Sequence, residues 1–456
     1  MKNLFLGIDV GTTAIKFGVI EQGKLLFKTS VPVTTYYEDK QKYQKAEEIL
    51  AGIADGVRVI PHSLRKELQY IGFSTAMHSC LPVVEETYDR IFIWSDNQGE
   101  ETIEAFRETP EAKRFYQKTG TPIHAMSPFA KILHFQETGE YPPETVYYGL
   151  KELVLQQFVG EFLIDRSTAS ATGLFHSQEL VWDQEILHYL GITEKQLAKV
   201  VEPTETFPIL SSLAKELALP KNIKVLAGAS DGCLAAYASY LTTGIPDSLT
   251  IGTSAAIRRI TQTPYVDSEK QNFCYYLNEE FYVVGAPSNN GGCVLEWAKN
   301  QLFADEKLLE QLTMIQESPI GGNGIRFHPY INGERAPYWR NDQTAELKYL
   351  SIHHTKADIL RGIIEGTLMN LKLLAKTVGI GTKLSISGGF FKTEILQQLT
   401  AEILAADCWL ADANEPIFGL YYLLYPEEVK PAKMKKISGD EAAKQQYEQI
   451  YPTYFE

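Results

Sequence analysis

Long apolar runs are missing from this chain: nothing approaches the ~18 residues that a membrane helix needs. The apolar start, LFLGIDV, is interrupted by Gly7 and Asp9, so it reads as neither a signal peptide nor a span. Cysteine is scarce. The five (Cys80, Cys233, Cys274, Cys293 and Cys408) are odd in number and scattered, with no CxxC pair and no Cys/His cluster. That excludes a disulfide framework and a zinc centre. Positive charge is in deficit, with 43 Lys and Arg against 57 Asp and Glu and a formal net charge of −14. A nucleic-acid surface needs a basic face, so neither nucleic acid nor membrane is an expected partner. An anionic substrate must therefore be captured by a local site, against the field of the whole molecule. What remains is a cytoplasmic protein whose 456 residues exceed one comfortable core, so two domains are expected.

Local patterning predicts a hairpin at the start: strands over 4–8 and 14–20, a turn at Glu21-Gln22-Gly23, and a third strand over 24–28. Helices are expected over 45–59, 100–118 and 144–159, with strands over 68–74 and 226–230 and a small-residue helix over 232–241. The run TTGIPD at 242–247 combines Thr, Gly, Pro and Asp and is the strongest linker signal in the chain. Further on, a strand over 281–285 and a helix over 294–302 are expected. A long helix over 357–378 has a capping box from Thr355 to Asp358 and a stop at Gly379.

Immediately after the linker signal, SLTIGTSAAIRRI repeats the plan of FLGIDVGTTAIKFGVI: apolar strand, Gly-Thr-Thr or Gly-Thr-Ser turn, apolar strand. A motif repeated about halfway along a chain indicates two related halves. Hydroxyls and amides at Gly11, Thr12 and Thr13, and at Gly252, Thr253 and Ser254, are suited to donate to phosphate oxygens. Asp9, at the end of the first strand, is suited to hold Mg²⁺ directly or through water. The strand over 384–387, the pair Gly388-Gly389 and a helix from about Thr393 to Leu404 form a turn of the kind that faces a phosphate or nucleotide. Two such turns and the glycine pair together outweigh the reading of either as an ordinary polar hairpin.

In order along the chain, LGIDVGTTAIK, IGFSTAMHS, IWSDN, GASDG, LTIGTSAAIR, NGERAP and SISGGFFKTEI resemble the motifs of the FGGY carbohydrate kinases. The run TGTPIHAMSPFAKI, with GASDG and PSNNGGCVLEW, looks most like the gluconokinase branch of that family. The resemblance extends from residue 4 to about 405. It implies an α/β fold of two ribonuclease-H-like domains, of the actin and hexokinase type, around a central nucleotide and sugar cleft. Residues 1–243 would form the N-terminal domain, with the sugar side and the catalytic base, and 244–456 the C-terminal domain on the nucleotide side. ATP and Mg²⁺ are the implied cofactors. The implied reaction phosphorylates the terminal hydroxyl of a sugar acid, D-gluconate first, with a pentulose or another polyol as the alternative. A binder that no longer transfers phosphate is the third reading. A small-molecule sugar or sugar acid is the expected partner, and a homodimer is left open.

Carried over position by position, the resemblance makes Asp231 the catalytic base and Asp9 the metal-organising acid. Thr12, Thr13, Thr253 and Ser254 match the phosphate-loop positions. Gly388, Gly389 and Thr393 match the adenosine turn, with Gly292 and Glu296 lining the nucleotide side. The sugar side would be Met77, His78, Trp94, Asp96, Asn97 and His124, together with Asp231. Each of these sugar-side residues also has a plainer reading: a structural histidine for His78, core for Trp94, a helix cap for Asp96, a loop polar group for His124. Lys131 and Arg335 suit a substrate carboxylate or an ordinary ion pair. Gln98 stands where the family has an arginine, which removes a fixed positive charge near the sugar pocket. PIFGLYYLL replaces a stretch of small residues that normally packs near the nucleotide domain.

Overall fold

β1 (Leu4–Val10) is buried along its whole length and pairs antiparallel with β2 (Ala14–Glu21), which pairs in turn with β3 (Lys24–Pro32). A strand covered on both faces needs an almost continuous apolar sequence, and LFLGIDV supplies it up to Asp9. The computed structural model describes residues 4–303, 312–411 and 415–456. On the other side of β1 lies β4 (Leu68–Thr75), parallel to it, then β6 (Lys224–Leu226), parallel to β4, and β5 (Thr206–Pro208) at the edge. The sheet order is β5-β6-β4-β1-β2-β3.

Strand alternation puts Phe17 and Gly18 on opposite faces of this sheet. On one face α1 (Ala46–Val59) brings Gly56 against the Phe17 ring, and α3 (Leu150–Val159) packs Phe158 on Phe73 with ring centroids 4.8 Å apart. On the other face α8 (Pro416–Leu424) drives Ile417 into the space left by Gly7 and Gly18 and sets Tyr421 against Phe5. α8 is the PIFGLYYLL segment. Its Tyr421 and Tyr422 are buried and the segment belongs to the first unit, although it falls within residues 244–456, the expected C-terminal domain.

β7 (Asp247–Ile251) and β8 (Ala255–Thr261) form the second hairpin. β7 is parallel to β10 (Lys383–Ser387), β10 to β11 (Asp407–Ala411), and β12 (Met434–Ile437) closes the edge antiparallel. With β9 (Tyr282–Ser288) beyond β8, six strands run in the order β12-β11-β10-β7-β8-β9, and Phe273–Tyr276 adds a seventh beside β9. Those six match the strand order of the first sheet, so the repeat read from two short motifs extends well beyond the hairpins. The helix α6 (Lys356–Val378) has the expected capping box and ends at Gly379 in the left-handed region, φ +71°.

The chain divides into two units that are not contiguous in sequence. The first comprises Met1–Ala238, Thr261–Val283 and Asn414–Lys430; the second comprises Ser239–Ile260, Val284–Ala413 and Pro431–Glu456. The TTGIPD run ends α4 (Asp231–Thr243) and starts β7, inside the second unit, so it is a helix-to-strand turn. Two expected helices also differ. Residues 100–118 form two, Glu100–Arg107 and Pro110–Thr119, because Pro110 cannot continue the first helix but suits the start of a second. Residues 144–159 begin instead with the strand Val146–Tyr148, and the helix starts only after Gly149.

Candidate functional site

Both hairpin turns are closed by the amide of their glycine, the second one residue tighter than the first. In the first, the Gly11 amide donates to the Ala14 carbonyl at 3.2 Å; in the second, the Gly252 amide donates to that of Ser254 at 2.9 Å. The carbonyls of both turns are engaged from behind. Thr12 O accepts from the Gln44 side-chain amide at 2.8 Å and Thr13 O from the Val33 amide at 3.0 Å. Gly252 O accepts from the Gly292 amide at 2.8 Å, and Thr253 O from those of Gly291 and Cys293 at 3.2 and 3.1 Å. Those three amides belong to the start of α5 (Gly292–Leu302). With its acceptors occupied, each turn is left with hydroxyls and amides to offer, which is the complement of an anion.

Behind the turns the sheets differ in charge. Asp9 faces Ser74 in the β1–β4 register, and the Ser74 hydroxyl donates to Asp9 Oδ1 at 2.7 Å. Lys16, its register partner across the hairpin, lies 3.5 Å from Oδ2. Burial raises the Asp9 carboxyl above its usual range, against the Ser74 bond and the Lys16 charge. At the matching place in the second sheet Thr250 faces Ser387, hydroxyl to hydroxyl at 3.2 Å. Among the described residues no three His, Cys, Asp or Glu cluster as a metal cage. A single carboxylate suits Mg²⁺, which takes most of its ligands from water and phosphate.

In the second unit a cavity of about 440 Å³ is lined by Gly252, Thr253, Gly292, Glu296, Gly389 and Thr393 together with Cys293, Lys299 and Phe390, among others. Six expected nucleotide positions therefore share one cavity, while Ser254 and Gly388 do not line it. The volume is ordinary for a small-molecule site. Thr393 precedes the helix α7 (Glu394–Ile403) at the capping position, yet makes no side-chain cap. Its hydroxyl is buried with no hydrogen-bond partner. A buried hydroxyl left unpaired at a cavity wall points to a ligand that completes it. A short 3₁₀ turn, Gly389–Lys392, separates β10 from α7, so the helix starts later than the glycine pair suggested.

The expected sugar-side residues all lie in the first unit. His78 is buried with φ +65°, its Nδ1 2.7 Å from the Ala171 carbonyl and its Nε2 3.4 Å from the Tyr275 hydroxyl. Met77, Trp94 and Asn97 are half-buried. Asp96 is wholly buried and caps no helix: Oδ1 accepts from the Lys42 amide at 2.9 Å and Oδ2 from the Gln98 side chain at 3.0 Å. Gln98 is thus a neutral anchor for Asp96. His124 Nδ1 accepts from the Met126 amide at 3.1 Å. Lys131 is fully buried and donates to the carbonyls of Ala125 and Met126, so its amine orders the loop that carries His124. Arg335 donates to the Ser288 carbonyl at 3.1 Å. Asp231 opens α4, its Oδ1 accepting from the Gly232 amide at 2.7 Å.

Sequence reading missed Ser74, Lys16 and Gln44. Lys16 was recoverable from the hairpin, since it and Asp9 are symmetric about the turn; Ser74 lies on another strand, β4, and was not. Gln44 carried no local signal. It also missed Glu334, wholly buried, which takes the Ser288 hydroxyl, the Asn289 amide and the side chains of Asn290 and Asn370, and so fixes the loop ahead of Gly291.

Comparison with known proteins gives a consistent result. The N-terminal domain model of the FGGY family of carbohydrate kinases matches residues 4–238, and the C-terminal domain model matches residues 248–420. The gluconokinase of Bacillus subtilis (strain 168) is 33% identical over 452 residues, covering 92% of this chain and 88% of its own. Among solved structures, a gluconate kinase from Lactobacillus acidophilus superposes with a TM-score of 0.93 at 27% identity, covering 100% of this chain and 97% of its own. A ligand-bound xylulose kinase from the same organism gives 0.94 at 28%, covering 99% and 97%.

Proposed function

The chain belongs to the FGGY family of carbohydrate kinases, and we propose that it transfers the γ-phosphoryl group of ATP to the terminal hydroxyl of D-gluconate, giving 6-phosphogluconate. The observation that carries the sugar-acid reading is the 33% identity to a gluconokinase across nearly the whole chain. The likeness to a xylulose kinase structure supports a pentulose as the second reading.

Phosphoryl transfer asks for alignment and charge neutralisation more than covalent chemistry. In this reading the Asp231 carboxylate accepts the hydrogen bond of the acceptor hydroxyl and takes its proton as transfer proceeds. Gly252, Thr253, Gly292, Glu296, Gly389 and Thr393 would hold the nucleotide in their shared cavity, with Thr393 gaining the partner it lacks. Gly11, Thr12, Thr13 and Ser254 would donate to phosphate oxygens. Mg²⁺, when bound, supplies neutralisation of phosphate charge; Asp9 would hold it or order its water, kept in place by Ser74 and Lys16. Met77, His78, Trp94, Asn97 and His124 would meet the sugar acid, with Asp96 and Lys131 ordering their loops. Such an enzyme draws on cytoplasmic ATP, and among the described residues no helix is long and apolar enough to cross a membrane.

A coupled ADP-release assay over gluconate, xylulose, ribulose and glycerol tests the assignment. Turnover on gluconate well above the others is expected; turnover on a ketopentose alone would replace the substrate, and none on any would leave a binder. Asp231→Asn should lower kcat by about 10³-fold or more with ATP binding retained.

A further inference from the structure

The carboxyl edge of the first sheet contains a break in its ladder. β4 and β6 pair up to Gly72↔Leu226, and the two chains meet again at the isolated bridge Thr75↔Ser230. Across the gap Phe73 and Ser74 face Ala227, Gly228 and Ala229, one residue too many for the pleat. Gly228 absorbs the excess with φ +74°, at a place where a Cβ would lie 2.0 Å from the Phe73 carbonyl oxygen. The amides of Ala227 and Gly228 turn away, to the carbonyls of Glu205 and Pro203.

Into this gap α3 sends Lys151, whose side chain is fully buried. Its ammonium donates to Phe73 O at 2.6 Å, to Ala227 O at 2.7 Å and, longer, to Ala229 O at 3.4 Å. It supplies the donors that the bulge withdraws. Asp165 Oδ2, also fully buried, balances the charge at 3.1 Å. Asp165 in turn holds the amide and hydroxyl of Thr168 at 2.8 and 2.7 Å. The neighbouring Ser167 hydroxyl is 3.1 Å from that of Ser230, the residue before Asp231. One buried ion pair therefore grips both routes into the first residue of α4.

We propose that Lys151 is a positioning residue for the Asp231 base, fixing through the strand-end carbonyls the point from which that carboxylate projects. The inference rests on the kinase reading above. A displaced base costs rate far more than affinity, because all but one of the contacts proposed for sugar and nucleotide lie elsewhere. Burial lowers the Lys151 amine from its usual range, with the charges of Asp165 and Asp231 opposing, so the ammonium is coupled to the base by charge as well as by backbone.

Lys151→Met alone would strand the buried Asp165, so the test is the neutral pair Lys151→Met/Asp165→Asn in the full chain, assayed with the best substrate of the panel. The expected result is a folded protein with kcat lowered by about 10²-fold and the KM for sugar and ATP each within about threefold of wild type. A folded variant with kcat within about threefold of wild type would overturn the proposal. So would a rise in both KM values matching the loss in kcat, or a double variant that does not fold, since either makes the pair a general support. Asp231→Asn in the same assay separates the two readings. If it retains turnover, the base assignment itself has failed; if it is inactive while the double variant is not, only the role of Lys151 has.

Discussion

The two hairpins share a turn motif and a sheet order, yet they are held by different means and carry different charge. The first turn is pinned by a side-chain amide, Gln44, and stands over a buried carboxylate, Asp9. The second is pinned by the first amides of α5 and stands over a hydroxyl, Thr250. A hydroxyl pair at that register position satisfies the sheet as well as a carboxylate and a serine do, so packing does not demand the acid. Burying Asp9 is costly, and the structure spends Ser74 and Lys16 on keeping it there. The lesson is that one scaffold has been used twice and made electrically loaded once. In the proposed reaction the loaded copy would be the one to hold a cation beside the phosphates.

That asymmetry can be broken by paired substitutions. Asp9→Asn keeps the shape and a bond to Ser74 but removes the charge; kcat is expected to fall by about 10²- to 10³-fold. Thr250→Val, at the matching position of the second sheet, should leave kcat within about threefold. Steady-state kinetics on both variants check this, and equal losses would mean that the two positions support the sheet alike and that charge is not what separates them.

A smaller effect is expected at the pin of the second turn. A Cβ at Gly292 would lie 2.7 Å from the Gly252 carbonyl oxygen, and one at Gly291 2.6 Å from Ser254 backbone. Gly292→Val must push the turn away from α5 and deform the cavity they share. The KM for ATP should rise about tenfold, corresponding to roughly 1.4 kcal/mol, while the KM for sugar stays put. Measuring both constants distinguishes a nucleotide-side defect from general loosening.

What the sequence disclosed was local. The starts of β1 and β2, the Thr355–Asp358 capping box and the Gly379 stop follow from patterning within a few residues, and the structure has them, though β1 runs on through Asp9 to Val10 where its end was expected at Ile8. The repeat was legible because its turn chemistry, Gly-Thr-Thr and Gly-Thr-Ser, recurs in sequence. What stayed hidden depends on distant partners. α8 looked anomalous with Phe418, Tyr421 and Tyr422 until the sheet showed Gly7 and Gly18 making room for Ile417. Lys151 carries no mark in the sequence that distinguishes it from a surface lysine, since carbonyls far along the chain, those of Phe73 and Ala227, hold its buried amine. The helix expected over 100–118 fails for the opposite reason: its alternating charge suits a surface helix throughout, but Pro110, in plain view, starts a second one.

The smallest expected effect has the most telling sign. Every other turn donor discussed is compatible with a resting protein, but the Thr393 hydroxyl is buried without a partner. An unpaired buried hydroxyl costs about 1–3 kcal/mol of stability, and Val has nearly the shape of Thr without that cost. Thr393→Val should therefore raise the melting temperature of the ligand-free protein, by about 1 °C for each ~1 kcal/mol recovered in a chain of this size. If the hydroxyl is reserved for the nucleotide, the same change removes a hydrogen bond from the complex, and the dissociation constant for ATP should rise roughly fivefold, about 1 kcal/mol. Thermal melts with and without ATP read both quantities: a higher starting temperature and a smaller shift on adding ATP. A lower starting temperature would make Thr393 a structural hydroxyl, and an unchanged shift would take it out of the nucleotide site. Stability and binding moving in opposite directions is what separates a residue kept for a ligand from one kept for the fold.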